Sequence, residues 1–182
     1  ASGVTSKLNK KDILKDFDHN HIFLVNGNLH SSNFEFEDKN KIKINSYDRS
    51  INFQPNQNPL VCLNHALAEN GYSLEVDKNY KFKKVLIIYN IFTNDIKNKI
   101  LNNKNKIKLN ENSELHIMDY TINESKFINN AYEEIILEKN SKFKNIYLQN
   151  NKSNGFSLQL FARMRTSWGR KIAAQGPRWS QV

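Results

Sequence analysis

Reactive side chains gather at a few places in this chain, and each grouping suggests a chemistry. Cys62 and His65 stand one helical turn apart. A thiolate and an imidazole at that spacing can share a transition metal. Asp16, Asp18, His19 and His21 crowd one short segment, and carboxylates beside imidazoles invite metal binding or proton transfer. Glu133 and Glu134 are adjacent carboxylates, the raw material of an acid–base pair, and His116 lies between Leu115 and Ile117.

Each group is incomplete. A structural zinc needs four ligands, and no further pair accompanies Cys62 and His65. They read as a small half-buried thiol and an imidazole at a surface or interface. The segment from Asp16 to His21 reads as a helix end running into a strand, where polar residues are expected. Neighbours in a strand point to opposite faces, so Glu133 and Glu134 cannot cooperate. His116, between two apolar residues, faces outward. There is no phosphate-cradling glycine loop and no Gly-x-Ser-x-Gly elbow. The sequence assigns no catalytic, cofactor-binding or metal-binding residue, and the expectation is a protein that is not an enzyme.

The elements around these residues are short. Residues 6–17 have Leu8, Ile13, Leu14 and Phe17 loosely on one side, a pattern that predicts a helix. His21-Ile-Phe-Leu-Val-Asn-Gly-Asn-Leu-His30 predicts a hairpin about its Asn-Gly pair. Phe34 and Phe36, then Ile42 and Ile44, alternate with polar residues and predict a second strand pair. The clearest helix spans 58–71, with Asn58 as N-cap, Pro59 at the first helical position, a stripe of Leu60, Leu63 and Leu67, and an exit at Asn70-Gly71. Strands take over from Tyr72.

The 182 residues suffice for one domain of ordinary size, yet only 38% are hydrophobic, so the core must be narrow. The single cysteine excludes an internal disulfide and fits a reducing compartment. No apolar run approaches the roughly 18–20 residues that span a bilayer, and the opening Ala-Ser-Gly-Val-Thr-Ser-Lys lacks a signal-peptide core and an initiator Met. A cytoplasmic protein, without a membrane partner and with its true N-terminus missing, is expected.

The net charge of +9 raises the question of nucleic acid. Much of it sits in 161–182, which carries Arg163, Arg165, Arg170, Lys171 and Arg178 and no acid. Elsewhere lysines are scattered among Asn and Glu, as on a solvated surface. Composition changes sharply near Gly155: Asn, Lys and Ile dominate before it, and no Asn follows Asn154. Those residues have A/T-rich codons, whereas the Arg, Ala, Gly, Pro and Trp that follow favour G/C-rich ones. Residues 156–182 are therefore expected to be an out-of-frame, fused or vector-derived tail, to be set aside in reasoning about the fold. The alternative is a basic, aromatic tail through which the protein binds nucleic acid.

Within the strand region a pattern recurs. Val76-Asp-Lys-Asn79-Tyr-Lys-Phe82, Leu109-Asn-Glu-Asn112-Ser-Glu-Leu115 and Leu137-Glu-Lys-Asn140-Ser-Lys-Phe143 share one template. The repeat returns roughly every 30 residues, a period that marks stacked units. Asn tolerates the left-handed backbone of a sharp corner, Lys and Glu face water, and the flanking apolar residues stack on the next unit in a thin column. The expected fold is mainly β, a parallel β-helix over residues 72–155, preceded by a small α/β region over residues 1–71. An antiparallel sandwich with similar turns would be the ordinary competitor.

These residues resemble the SufD/SufB family of iron–sulfur cluster assembly scaffold proteins, and SufD in particular. The likeness rests on Phe23-Leu-Val-Asn-Gly27 and on Pro59-Leu-Val-Cys-Leu-Asn-His-Ala-Leu-Ala-Glu-Asn-Gly71 followed by Tyr72-Ser-Leu-Glu-Val76. It continues in Ile107-Lys-Leu-Asn-Glu-Asn-Ser-Glu-Leu-His-Ile117 and Asn129-Asn-Ala-Tyr-Glu-Glu-Ile-Ile136, and covers about residues 20–154. The resemblance implies a scaffold subunit pairing with SufB-like and SufC-like proteins. Their complex handles iron, an iron–sulfur cluster and, on the SufC ATPase, ATP. The late β-helix and C-terminal helices that carry the family's interactions have no counterpart here, so no functional residue transfers and no cofactor is expected on this N-terminal part. A carbohydrate-active β-helix enzyme is the other β-helical reading. It would need clustered carboxylates on one exposed sheet.

Overall fold

A computed structural model of the chain describes residues 16–48, 59–123, 125–151, 156–165 and 178–180; side chains are described through Leu148, that of Leu60 excepted. Most of the helix expected over 6–17, and the N-cap Asn58, lie outside the described residues.

The fold is mainly β, with two mixed sheets. Strands β1 (Asn20–Val25) and β2 (Asn28–Asn33) form the expected hairpin. Asn26 and Gly27 take φ of 50° and 79°, the left-handed pair that a two-residue hairpin turn requires. A Cβ on Gly27 would also overlap the Asn103 side-chain amide. β3 (Ile42–Ser46) runs antiparallel to β4 (Tyr72–Val76).

From β4 onward successive strands alternate between sheets. β5 (Leu86–Phe92), β7 (Glu114–Asn123) and β9 (Lys142–Asn151) join the first sheet, in order β2-β1-β5-β7-β9. β6 (Ile100–Leu109), β8 (Ile128–Leu137) and β10 (Phe156–Arg165) join the second, which β11 (Arg178–Ser180) closes, in order β11-β10-β8-β6-β4-β3. Pairing is parallel from β1 to β9 and from β4 to β10. The core lies between the sheets. Leu74, Ile107 and Ile135 stand in one register column, and Val76, Leu109 and Leu137 in the next. All six are buried, each contributing about 1.5–3 kcal/mol.

The recurring asparagines turn the chain from the second sheet to the first. Asn79, Asn112 and Asn140 have φ of 59°, 59° and 58°. Asn112 Nδ2 donates to Asn79 Oδ1 at 2.9 Å, and Asn140 Nδ2 to Asn112 Oδ1 at 3.0 Å, across 33 and 28 residues of chain. Backbone bonds run beside this ladder, from Asn79 N to Glu111 O at 2.8 Å and from Asn112 N to Lys139 O at 2.9 Å. The repeat's serines brace each corner. Ser113 Oγ donates to Asn110 O, and Ser141 Oγ to Glu138 O.

Two expectations need correction. Phe34–Glu37 is a turn, closed by Glu37 N on Phe34 O at 3.1 Å, not half of a strand pair. The cause is Glu37, which turns inward. Its carboxylate accepts from Asn20 Nδ2, Lys83 N, Lys84 N and Tyr80 OH at 2.7–3.2 Å. Secondly, helix α1 ends early, spanning Pro59–Leu67. Its Leu63 and Leu67 are 48% and 50% exposed. The face turned to the second sheet is instead Val61, Asn64 and Ala68, because Asn64 Nδ2 donates to the carbonyls of Asn103 and Asn130 at 3.0 and 2.7 Å. Two bonds to buried carbonyls outweigh the partial burial of two leucines, since an unmade buried bond costs about 1–3 kcal/mol. The backbone after Gly155 joins the second sheet as β10 and β11. In register, Leu158, Leu160, Ala162 and Met164 pair with Asn130, Tyr132, Glu134 and Ile136, and Arg163 and Arg165 with Ile135 and Leu137.

The corners give a direct test. Asn112→Ala removes both ladder bonds and leaves a Cβ residue in the left-handed region, and should cost about 2 kcal/mol in urea unfolding. Asn112→Gly loses the same bonds but relaxes the backbone, and should cost clearly less. Equal losses would mean that the corner conformation carries no strain.

Candidate functional site: a buried carboxylate pair between the sheets

The groups singled out from sequence are placed apart. His65, on α1, packs edge-on against the Tyr132 ring with centroids 4.8 Å apart. Burial, then the charge of Lys104, pulls its pKa below the ordinary histidine value. Cys62 is half-buried one turn earlier. His19 is buried, with Nδ1 at 2.6 Å from Phe17 O and Nε2 at 3.0 Å from Tyr89 OH. Its ring lies 5.9 Å from that of His21, while Asp18 turns away to a surface ion pair with Lys84 at 3.5 Å. His116 faces outward beside Glu114, at 3.2 Å. Glu134, on the outer face, meets Lys106 at 4.0 Å. Among the described residues no three His, Cys, Asp or Glu side chains converge as metal ligands.

Glu133 points the other way, into the space between the sheets, and there it finds a carboxylate that sequence reasoning missed. Asp119, on β7, is 7% exposed, and Glu133, on β8, is 8% exposed. In the first sheet Asp119 sits between Ile88 and Tyr147 in its register column, and in the second Glu133 pairs with Asn105. Asp119 accepts from Asn145 Nδ2 at 2.8 Å and Asn90 Nδ2 at 3.4 Å. Glu133 accepts from Tyr147 OH at 2.8 Å. The signal was available. Counting in twos from Leu115 reaches Ile117 and Asp119, and counting back in twos from Leu137 reaches Ile135 and Glu133.

Burial raises both pKa values, because the charged forms lose their hydration. Asp119 rises to about 6, its two amide donors holding it back. Glu133 rises to about 8, pushed by burial first and by the charge of Asp119 second. Near neutrality the pair therefore shares its charge, with Asp119 ionised and Glu133 protonated. Two carboxyls so divided have the form of an acid–base pair. At 7% and 8% exposure they have little access to a substrate, and their evident effect is on the fold's response to pH.

A mainly β protein of two mixed sheets, with polar groups threaded through its core, is the class these features define. No model of a known protein family matches the chain, and no curated protein matches it. Among the described residues no helix is long and apolar enough to cross a membrane.

The pair predicts a specific pH dependence. Both carboxyls bind protons more tightly folded than unfolded, where they titrate near about 4. The stability they contribute is full below that range and is lost as pH rises through about 6 and about 8. The urea midpoint should be lower near pH 8.5 than near pH 5. Glu133→Gln should flatten the curve and raise stability near pH 8.5 by about 1 kcal/mol; an unchanged slope would remove Glu133 as its source.

Proposed function

We propose that this chain is the N-terminal part of a SufD-type scaffold subunit of iron–sulfur cluster assembly, and that its two sheets are the first windings of a parallel β-helix. The observation that carries this reading is the asparagine ladder. Three corners of one sequence template stack in register, each with the strand before it in the second sheet and the strand after it in the first. A sandwich with coincidentally similar turns has no reason to align them. The motif order around Gly27, Gly71 and Asn112 adds the family likeness. In this reading the chain acts by binding proteins in the cytoplasm. Its partners are a SufB-like subunit and a SufC-like ATPase. Iron, the cluster and ATP are handled by the assembled complex rather than by residues of this segment.

The reading has a direct biochemical test. The full-length gene product, affinity-tagged and co-expressed with SufB-like and SufC-like proteins of the same source, should retain both through purification. Failure to retain either would overturn the assignment.

A further inference from the structure

Asparagine precedes glycine at Asn26-Gly27, Asn70-Gly71 and Asn154-Gly155, the last outside the described residues. Such a pair is chemically reactive. The glycine nitrogen can attack the asparagine Cγ, because no side chain on the glycine crowds the approach. In a folded chain the outcome depends on what holds the two groups, and the two described pairs are held differently.

The Asn26 carboxamide is bound at both ends by Thr93, the buried residue that follows β5. Asn26 Nδ2 donates to Thr93 Oγ1 at 2.9 Å, and Asn26 Oδ1 accepts from Thr93 N at 2.9 Å. It cannot swing toward Gly27 N without breaking both bonds, the second of which satisfies a buried amide. Asn70 has no such restraint. It is half-buried, and among the described residues its carboxamide makes no hydrogen bond. Gly71 N, the attacking group, donates to none of them either.

We propose that Asn70 is a site of spontaneous deamidation and isoaspartate formation, and that Thr93 protects Asn26 from the same reaction. Gly71 N gives its proton to solvent base and bonds to Asn70 Cγ. The Cγ–Nδ2 bond breaks and ammonia leaves, closing a succinimide ring. Water then opens the ring. Cleavage of the new N–Cγ bond gives aspartate in the original main chain. Cleavage of the original peptide bond gives isoaspartate, whose main chain runs through Cβ and Cγ and is longer by one methylene. One water is consumed and one ammonia released. The insertion falls where α1 hands over to β4. There Lys104 N donates to Asn70 O and Tyr47 N to Gly71 O, both at 2.9 Å, and Gly71 sits so close to the Lys104 carbonyl that a Cβ would overlap it. A lengthened main chain cannot keep both acceptors in place, so isoaspartate loosens this junction while plain aspartate does not.

The test ages the intact chain at mildly alkaline pH. Its peptides are then followed by mass spectrometry and by an isoaspartate carboxyl methyltransferase with labelled S-adenosylmethionine. The peptide carrying Asn70 should convert at least tenfold faster than that carrying Asn26. In urea the two pairs should react at similar rates, because the difference belongs to the fold. Thr93→Val removes the Oγ1 acceptor and should speed Asn26 severalfold while leaving Asn70 unchanged. Freshly prepared Asn70→Asp chain should unfold at the same urea concentration as the unaltered chain, and the isoaspartyl fraction at a lower one. An Asn70 that reacts no faster than Asn26 in the folded chain would overturn the site. Unchanged Asn26 in the Thr93→Val chain would overturn the protection, and an isoaspartyl fraction as stable as the Asn70→Asp chain would overturn the effect on the junction.

Discussion

The structure depends on each asparagine corner falling in line with the one before. A side chain with a Cβ in the left-handed region costs about 1–2 kcal/mol. Asn79, Asn112 and Asn140 offset this with side-chain amides bonded corner to corner, Asn112 accepting from Asn140 and donating to Asn79, at the strand spacing of about 4.8 Å. Once the corners are aligned, the period of two decides everything downstream. Val76, Leu109 and Leu137 fall into one column, Leu74, Ile107 and Ile135 into another, and a slip of one residue would turn both sets to water. The repeats need not be equal in length. The chain between the first two corners is longer than that between the second pair, and part of the excess is taken up at the opposite side. There Thr93–Lys99 crosses through a 3-10 turn at Asn94–Ile96, whereas the next crossing uses only 124–127.

This is why the repeat was legible from sequence and several decisive contacts were not. The Asn corners and the Asn26-Gly27 turn are local requirements, written in residues next to one another. Glu37 is different. Its place in an alternating run suggests a solvated strand residue, but its partners are Asn20, Tyr80 and the amides of Lys83 and Lys84. The helix misleads in the same way. Leu63 and Leu67 make the visible stripe, yet Asn64 sets the seat because its acceptors, the carbonyls of Asn103 and Asn130, come from strands far along the chain. Apolar periodicity reports burial of area; it does not report a buried amide that two carbonyls require. The buried carboxylates were hidden for a further reason. Sequence adjacency pairs Glu133 with Glu134, but its electrostatic partner, Asp119, lies on the preceding strand in the opposite sheet.

The interior between the sheets divides along the strands. Near the asparagine corner it is apolar, built from Leu74, Val76, Ile107, Leu109, Leu115, Ile135 and Leu137. Away from it the same inward positions turn polar, with Asn103 bonded to Asn129 at 3.0 Å and Asn90 and Asn145 bonded to Asp119. A chain only 38% hydrophobic fills the column here with amides whose Nδ2 groups are bonded, while among the described residues the buried Oδ1 atoms of Asn103 and Asn145 accept no hydrogen bond. A carboxylate carries a different cost. Ionised, it only accepts, and a second buried carboxylate nearby adds repulsion to the loss of hydration. Placing Asp119 and Glu133 between the same two sheets therefore requires a proton on one of them. Asp119, with two amide donors, is the better-supplied anion, so Glu133 keeps the proton. The carboxylates between the sheets thus hold a proton as pH rises to neutrality, whereas the corner ladder is made of amides that do not titrate. It follows that a rise in pH through neutrality acts on the carboxylates between the sheets and not on the asparagine side chains that align the corners.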